Sequence, residues 1–206
     1  MGIVCLDLEG VLVPEIWIAV AERTGIDALR RTTRDEPDYD VLMHQRLELL
    51  DRHGLDLPAI RTVIAGLEPM PGARSFVDWA RAHHQVVILS DTFYEFAEPL
   101  MRQLGWPTLF CHRLVVDHAG RVTGYRLRMP DHKTAAVEAF RHLRFTTVAA
   151  GDSYNDIGML RAADHGLLFA PPARVVADHP DLIVCHDHAA LREAVAAAFA
   201  ASEPYQ

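Results

Sequence analysis

The sequence predicts an α/β fold, a doubly wound, Rossmann-like parallel sheet with helices on both faces. Three observations predict it. Strand-like apolar runs alternate with helix-like stretches along the chain. Three of those runs are mainly apolar, which is how a strand buried on both faces reads. Each runs straight into short polar residues: 3–6 into Asp7-Leu8-Glu9-Gly10, 86–89 into Ser90-Asp91-Thr92, and 146–150 into Gly151-Asp152-Ser153-Tyr154-Asn155-Asp156. Open α/β sheets bind ligands at the carboxyl ends of their strands, so parallel neighbours would bring these residues to one site.

Taken in order, the first strand closes at Gly10, where the backbone can turn sharply beneath a ligand. Val13-Pro14 breaks the pattern, and a helix begins over 15–21 and stops at Thr24-Gly25. Residues 26–37 are polar and close at Pro37. Asp38 caps a helix to about Arg52, with His53-Gly54 as its stop. Leu42, Leu49 and Leu50 give that helix an apolar stripe, with Arg46 between them. A short helix over about 58–66 precedes Glu68-Pro69-Met70-Pro71-Gly72, which reads as a hinge. Residues 14–70 are therefore a helical insertion after the first strand. Residues 1–13 and 71–206 form the core.

The core resumes with a helix at 73–83, the second strand, and a helix over 94–104 that ends at Gly105. Segments 113–116 and 122–126 flank Asp117-His118-Ala119-Gly120 as a hairpin. A helix over 133–143 leads to the third strand, and another follows Asp156. Gly166-Leu167-Leu168-Phe169 is a short strand, and 187–202 a last helix. No Gly-x-Gly-x-x-Gly marks a dinucleotide site.

The 206 residues are half hydrophobic and carry a formal charge of -8. No basic stripe suggests nucleic acid. Cys5, Cys111 and Cys185 are odd in number and lack ligand spacing, which suits a reducing cytosol; Cys5 reads as a small buried hydrophobe. No basic region precedes an apolar core at the N-terminus, position 6 is Leu where the myristoylation pattern fails, and no apolar run approaches the roughly 20 residues of a membrane span. The expectation is a cytoplasmic protein with small-molecule partners, no nucleic acid and no membrane. The sequence leaves oligomeric state open.

The three strand ends, with Lys133 between the second and third, resemble the haloacid dehalogenase superfamily. Its motifs are an Asp-x-Asp strand end, a Ser/Thr strand end, a Lys and a paired-acid loop. Within it the chain resembles the phosphoserine phosphatases, and the Asp-Leu-Glu-Gly-Val start is similar to the bifunctional phosphoserine phosphatase/homoserine phosphotransferase branch. The resemblance extends to about Ala170.

The resemblance implies a sheet of the haloacid dehalogenase type, with the 14–70 insertion as a cap closing over the site. It also implies roles. Asp7 is the nucleophile that becomes an aspartyl-phosphate, splitting one hard displacement into two steps; the bland alternative is a carboxylate that only caps a helix or binds metal. Glu9 protonates the leaving oxygen and deprotonates the attacking one, and its backbone carbonyl faces the metal. It departs from the commoner Asp by one methylene, so a structural substitute with weakened activity is its alternative. Asp7, Glu9, Asp152 and Asp156 surround Mg²⁺, with Asp156 also serving the start of the next helix.

Lys133 supplies positive charge to phosphate and to Asp7, where a lone Lys at a helix start is usually solvated. The Ser90 hydroxyl with the Asp91 and Thr92 amides holds phosphate, although Asp91 adds a carboxylate beside an anion where the family often has glycine. Glu15 and Arg46 pair with the ammonium and carboxylate of O-phosphoserine, against the alternative of ordinary surface charges. Asn155 reaches the substrate or is only a turn residue. His186-Asp187-His188 beside Cys185 lacks zinc spacing and reads as loop or helix cap.

The expected activity is Mg²⁺-dependent hydrolysis of O-phosphoserine, with transfer to homoserine as the second activity of the branch. The alternatives are a phosphatase for another small phosphomonoester and a dead phosphate-binding regulator.

Overall fold

The computed structural model describes residues 1–32, 35, 36 and 38–202. Pro37, expected to close the polar segment, lies outside them. Seven strands form one sheet in the order β4-β3-β2-β1-β5-β6-β7. They are β1 (Gly2–Leu6), β2 (Gln85–Phe93), β3 (Thr108–Val116), β4 (Val122–Arg126), β5 (Thr146–Gly151), β6 (His165–Phe169) and β7 (Ile183–Cys185). Every pairing is parallel except the β3–β4 hairpin, whose turn is braced by the Asp117 carboxylate accepting the Ala119 and Arg121 amides, both at 2.9 Å.

The three mainly apolar runs are the central strands. β1 lies between β2 and β5, in register with Val4 beside Val86 and Val148. Alternate residues enter two separate cores, one on each face of the sheet. Val4, Leu6, Ile88 and Ala150 pack with Phe76 of α4 (Ala73–His83), Phe96 of α5 (Tyr94–Gln103) and Leu191 of α9 (His188–Ala201). Ile3, Cys5, Leu89 and Ala149 pack with Val137 of α6 (His132–His142), Met159 of α7 (Ile157–Ala162) and Val175 of α8 (Ala173–Asp178).

Between β1 and α4 run α1 (Ile16–Thr24), α2 (Tyr39–Arg52) and α3 (Leu57–Ala65). Asp38 caps α2 by accepting the Asp40 and Val41 amides, and Gly25 ends α1 in the left-handed conformation at φ 72°.

Several boundaries differ from the sequence expectation. β2 does not stop at Leu89; it continues through Ser90-Asp91-Thr92 with a register shift against β3, a bulge that re-aims these side chains at the strand end. β3 begins at Thr108, well before the expected hairpin arm, and pairs with β2 first. The polar 26–37 segment contains a 3-10 turn, Asp27–Arg30, that buries Leu29. α8 and β7 had no signal, because six and three residues are too short for a period to show. Among the described residues, no helix is long and apolar enough to cross a membrane.

Candidate active site

The carboxyl ends of β1, β2 and β5 face a cavity of about 510 Å³. The tight turn after β1 is closed by Gly10 N–H to the Val13 carbonyl at 2.9 Å. Gly10 has φ 78°, and a Cβ there would lie 2.6 Å from the Asp152 carboxyl carbon. Only glycine brings this backbone so close to the β5 loop.

Asp7, 4% exposed, takes the Leu8 amide at 2.8 Å and the Lys133 ammonium at 3.0 Å on Oδ1. Lys133 also reaches Asp156 at 2.8 Å and Asp91 at 3.2 Å. Asp156 Oδ2 accepts the Asp152 and Ser153 amides, so it closes a capping box with Ser153 while Oδ1 binds the lysine. Burial opposes the charge on Lys133, but Asp156, Asp7 and Asp91 outweigh it and hold its pKa well above the ordinary lysine value. Asp7 is pushed well above the usual carboxylate range by burial and by Asp156, against the pull of Lys133.

Asp91 is not a loose anion in the phosphate end. Its Oδ1 lies 3.2 Å from His132 Nε2 and 3.5 Å from His112 Nε2, and its Oδ2 accepts from Asn155 Nδ2 at 2.9 Å. Burial raises its pKa, but Lys133 and these three donors bring it well below the usual range. Ser90 is buried, and its Oγ accepts the Thr92 amide at 3.2 Å, so that amide is engaged within the bulge.

The Glu9 carboxylate is tied to the first inserted helix. Its Oε2 accepts the Ile16 amide at 2.8 Å at the start of α1. Burial, then Glu15, push its pKa up to about 7, against the Ile16 amide, Arg46 and Thr92.

The opposite wall comes from the inserted helices. Arg46 is 7% exposed, so it is no surface charge. Its guanidinium lies 4.6 Å from the Trp17 ring centre, and NH2 donates to the Arg31 carbonyl at 2.9 Å. Its Nε is buried without an acceptor among the described residues, and burial lowers its pKa to about 10. Glu15 lines the same wall and starts α1 without a side-chain cap bond. Tyr39 OH donates to the Asp91 carbonyl at 3.2 Å, tying α2 to the end of β2.

The structure thus places Asp7, Glu9, Glu15, Arg46, Ser90, Asp91, Thr92, Lys133, Asp152 and Asn155 around one cavity, with buried Asp156 beneath it. Asp7, Asp152 and Asp156 offer oxygens within 4.8 Å of one another, a hard, all-oxygen donor set. The Glu9 carboxylate is not part of that group. Sequence reasoning missed Trp17, Tyr39, His112 and His132 as lining residues. His132 directly precedes Lys133 and Tyr39 directly follows a helix cap; Trp17 and His112 had no signal. Asp187 caps α9 through the Ala190 amide, as expected.

The profile of the haloacid dehalogenase-like hydrolases matches residues 11–161. The chain is 60% identical over 192 residues to phosphoserine phosphatase ThrH of Pseudomonas aeruginosa, covering 93% of this chain and 94% of that protein. It is 61% identical over 184 residues to a phosphoserine phosphatase of Pseudomonas syringae pv. tomato, covering 89% of this chain and 78% of that one. A solved phospho-aspartyl intermediate analogue of phosphoserine phosphatase shares the fold with a TM-score of 0.76 at 21% identity, over 95% of this chain and 98% of that one.

Proposed function

The chain belongs to the haloacid dehalogenase-like hydrolases, within them to the ThrH-like phosphoserine phosphatases, and we propose that it hydrolyses O-phosphoserine through an aspartyl-phosphate on Asp7. The observation that carries this reading is the polarity of the cavity. Asp7 and Lys133 stand 3.0 Å apart at one end, and Glu15 and Arg46 line the other wall. A phosphate fits the first end and an amino acid's ammonium and carboxylate the second.

Residues 14–70 act as the cap, and residues 1–13 and 71–206 as the catalytic core. Asp7, Asp152 and Asp156, with the Glu9 carbonyl, would hold Mg²⁺; one ammonium, Lys133, faces three carboxylates, so the site has anionic capacity to spare. When bound, the ion neutralises phosphate charge. An Asp7 oxygen attacks phosphorus, the bond from phosphorus to the serine oxygen breaks, and Glu9 gives that oxygen its proton. Glu9 then takes the proton of an attacking water, whose oxygen displaces Asp7 and releases phosphate. Lys133 holds Asp7 in place and faces a phosphate oxygen, with the Ser90 hydroxyl and the Asp91 and Thr92 backbone beside it. Asn155 orients Asp91 and borders the substrate. Three buried free thiols support a reducing cytoplasm as its compartment.

Homoserine replaces water in a second activity. It carries the same ammonium and carboxylate as serine, and its hydroxyl sits one methylene further out, a difference that pockets distinguish weakly, by roughly 10–200-fold. Phosphoserine and a panel of phosphomonoesters are incubated with Mg²⁺, with and without homoserine, and products read by ³¹P NMR. Phosphoserine should be the preferred donor and O-phosphohomoserine should appear. Inorganic phosphate alone at saturating homoserine removes the transfer activity, and preference for another ester removes the substrate reading.

A further inference from the structure

The two chain segments that join the inserted helices to the core run side by side. The Met70 amide donates to the Leu12 carbonyl at 2.9 Å. Against both lies His188, the first residue of α9, only 6% exposed. Its Nδ1 is 2.9 Å from the Pro71 carbonyl oxygen and its Nε2 is 2.9 Å from the Val11 carbonyl oxygen.

Carbonyl oxygens only accept. A neutral imidazole carries one N–H and one bare nitrogen, so it could serve one of these oxygens while setting a lone pair against the other. Among the described residues, no other donor reaches either oxygen. We propose that His188 is held as the imidazolium, donating one N–H to the entry segment and one to the exit segment, and so positions the inserted helices over the cavity. This rests on the reading of residues 14–70 as a cap.

Burial without a counter-charge opposes a cation at this ring, and its contacts offset that cost. Phe169 and Phe76 pack on the ring with centroids at 4.6 Å and 5.9 Å, and aromatic faces attract positive charge. The start of α9 opposes it; the two carbonyl acceptors offset that. No ion pair holds the ring among the described residues, and the neighbouring Asp187 turns its carboxylate onto the Ala190 amide at 2.8 Å. Gly72 makes the close approach possible. It has φ 86°, and a Cβ there would lie 3.1 Å from the His188 Cβ.

The first test uses ¹⁵N-labelled full-length protein at pH 7, with the His188 ring resonances identified by their loss in His188→Gln. Two protonated ring nitrogens are expected; one bare nitrogen overturns the proposal. The second test compares wild type with His188→Gln and His188→Asn, each of which retains one donor nitrogen, at temperatures below their measured Tm. On phosphoserine, kcat/KM should fall about tenfold, the scale of a small misplacement, while a compact aryl phosphate that makes no amino-acid contacts loses less than about threefold. Equal losses on both substrates, or none, overturn the positioning role. If wild type fails to turn over phosphoserine at all, the functional reading fails, and the ring-nitrogen result still decides the protonation.

Discussion

The two walls of the cavity are held in opposite ways. At the core wall, Lys133 binds Asp7, Asp91 and Asp156, Asp91 binds two histidines and Asn155, and Asp156 binds two backbone amides. Removing one partner leaves the others to define the position. At the inserted wall, Arg46 rests on a ring, one backbone carbonyl and a long 3.7 Å contact to Met43 sulfur, and its Nε has no acceptor among the described residues. The wall proposed to carry the chemistry is thus held by several partners at each group, as bond-making requires. The other wall keeps donor capacity for a ligand.

That contrast can be broken by mutation. The largest effect expected is from Asp7→Asn, which should reduce turnover at least about 10³-fold, since it removes the proposed nucleophile. Circular dichroism should show the fold retained, and mass spectrometry of quenched enzyme should find no phosphorylated protein. Near-wild-type rates, with deamidation excluded, would end the nucleophile assignment.

Lys133→Ala should follow. It leaves three buried or half-buried carboxylates without their shared cation, a change worth roughly 3–5 kcal/mol of stability. Denaturant melts without metal should show that loss, and added Mg²⁺ should recover part of it. An unchanged midpoint would mean that the core wall is not organised around this lysine.

Arg46→Ala should cost about 2–4 kcal/mol in kcat/KM on phosphoserine, the scale of a desolvated ionic hydrogen bond, with a much smaller loss on a generic aryl phosphate. Equal losses would make both walls catalytic and erase the distinction.

The smallest effect is in pH. With its pKa near 7, Glu9 keeps its proton at lower pH and loses it above. Protonating the leaving oxygen needs the proton present, so kcat/KM on phosphoserine should fall above pH 7 by about tenfold per unit. In Glu9→Gln that limb should vanish from a lower, flatter profile. A limb that persists in the variant belongs to another group.

The amino-acid order by itself determined the three buried strands, their polar ends and the breakers around residues 14–70, because apolar runs, caps and glycines act over a few neighbouring residues. Asp7, Asp152 and Asp156 were legible for that reason, each at an element's end; Lys133, at a helix start where a lysine is usually solvated, was marked by the family resemblance. The tertiary structure decided what those ends meet. It took the Asp91 carboxylate, which reads as a misplaced anion beside a phosphate, and surrounded it with donors from β3, α6 and the β5 loop. It buried Arg46, which the family resemblance marked as the partner of a substrate carboxylate, against Trp17 of another helix, a residue without any signal in the sequence. It brought Tyr39 to the Asp91 carbonyl across 52 positions of chain and His188 to Val11 across 177. Contacts so distant in sequence leave no local period. They arise only when the sheet has set its strand order and the helices have packed upon it.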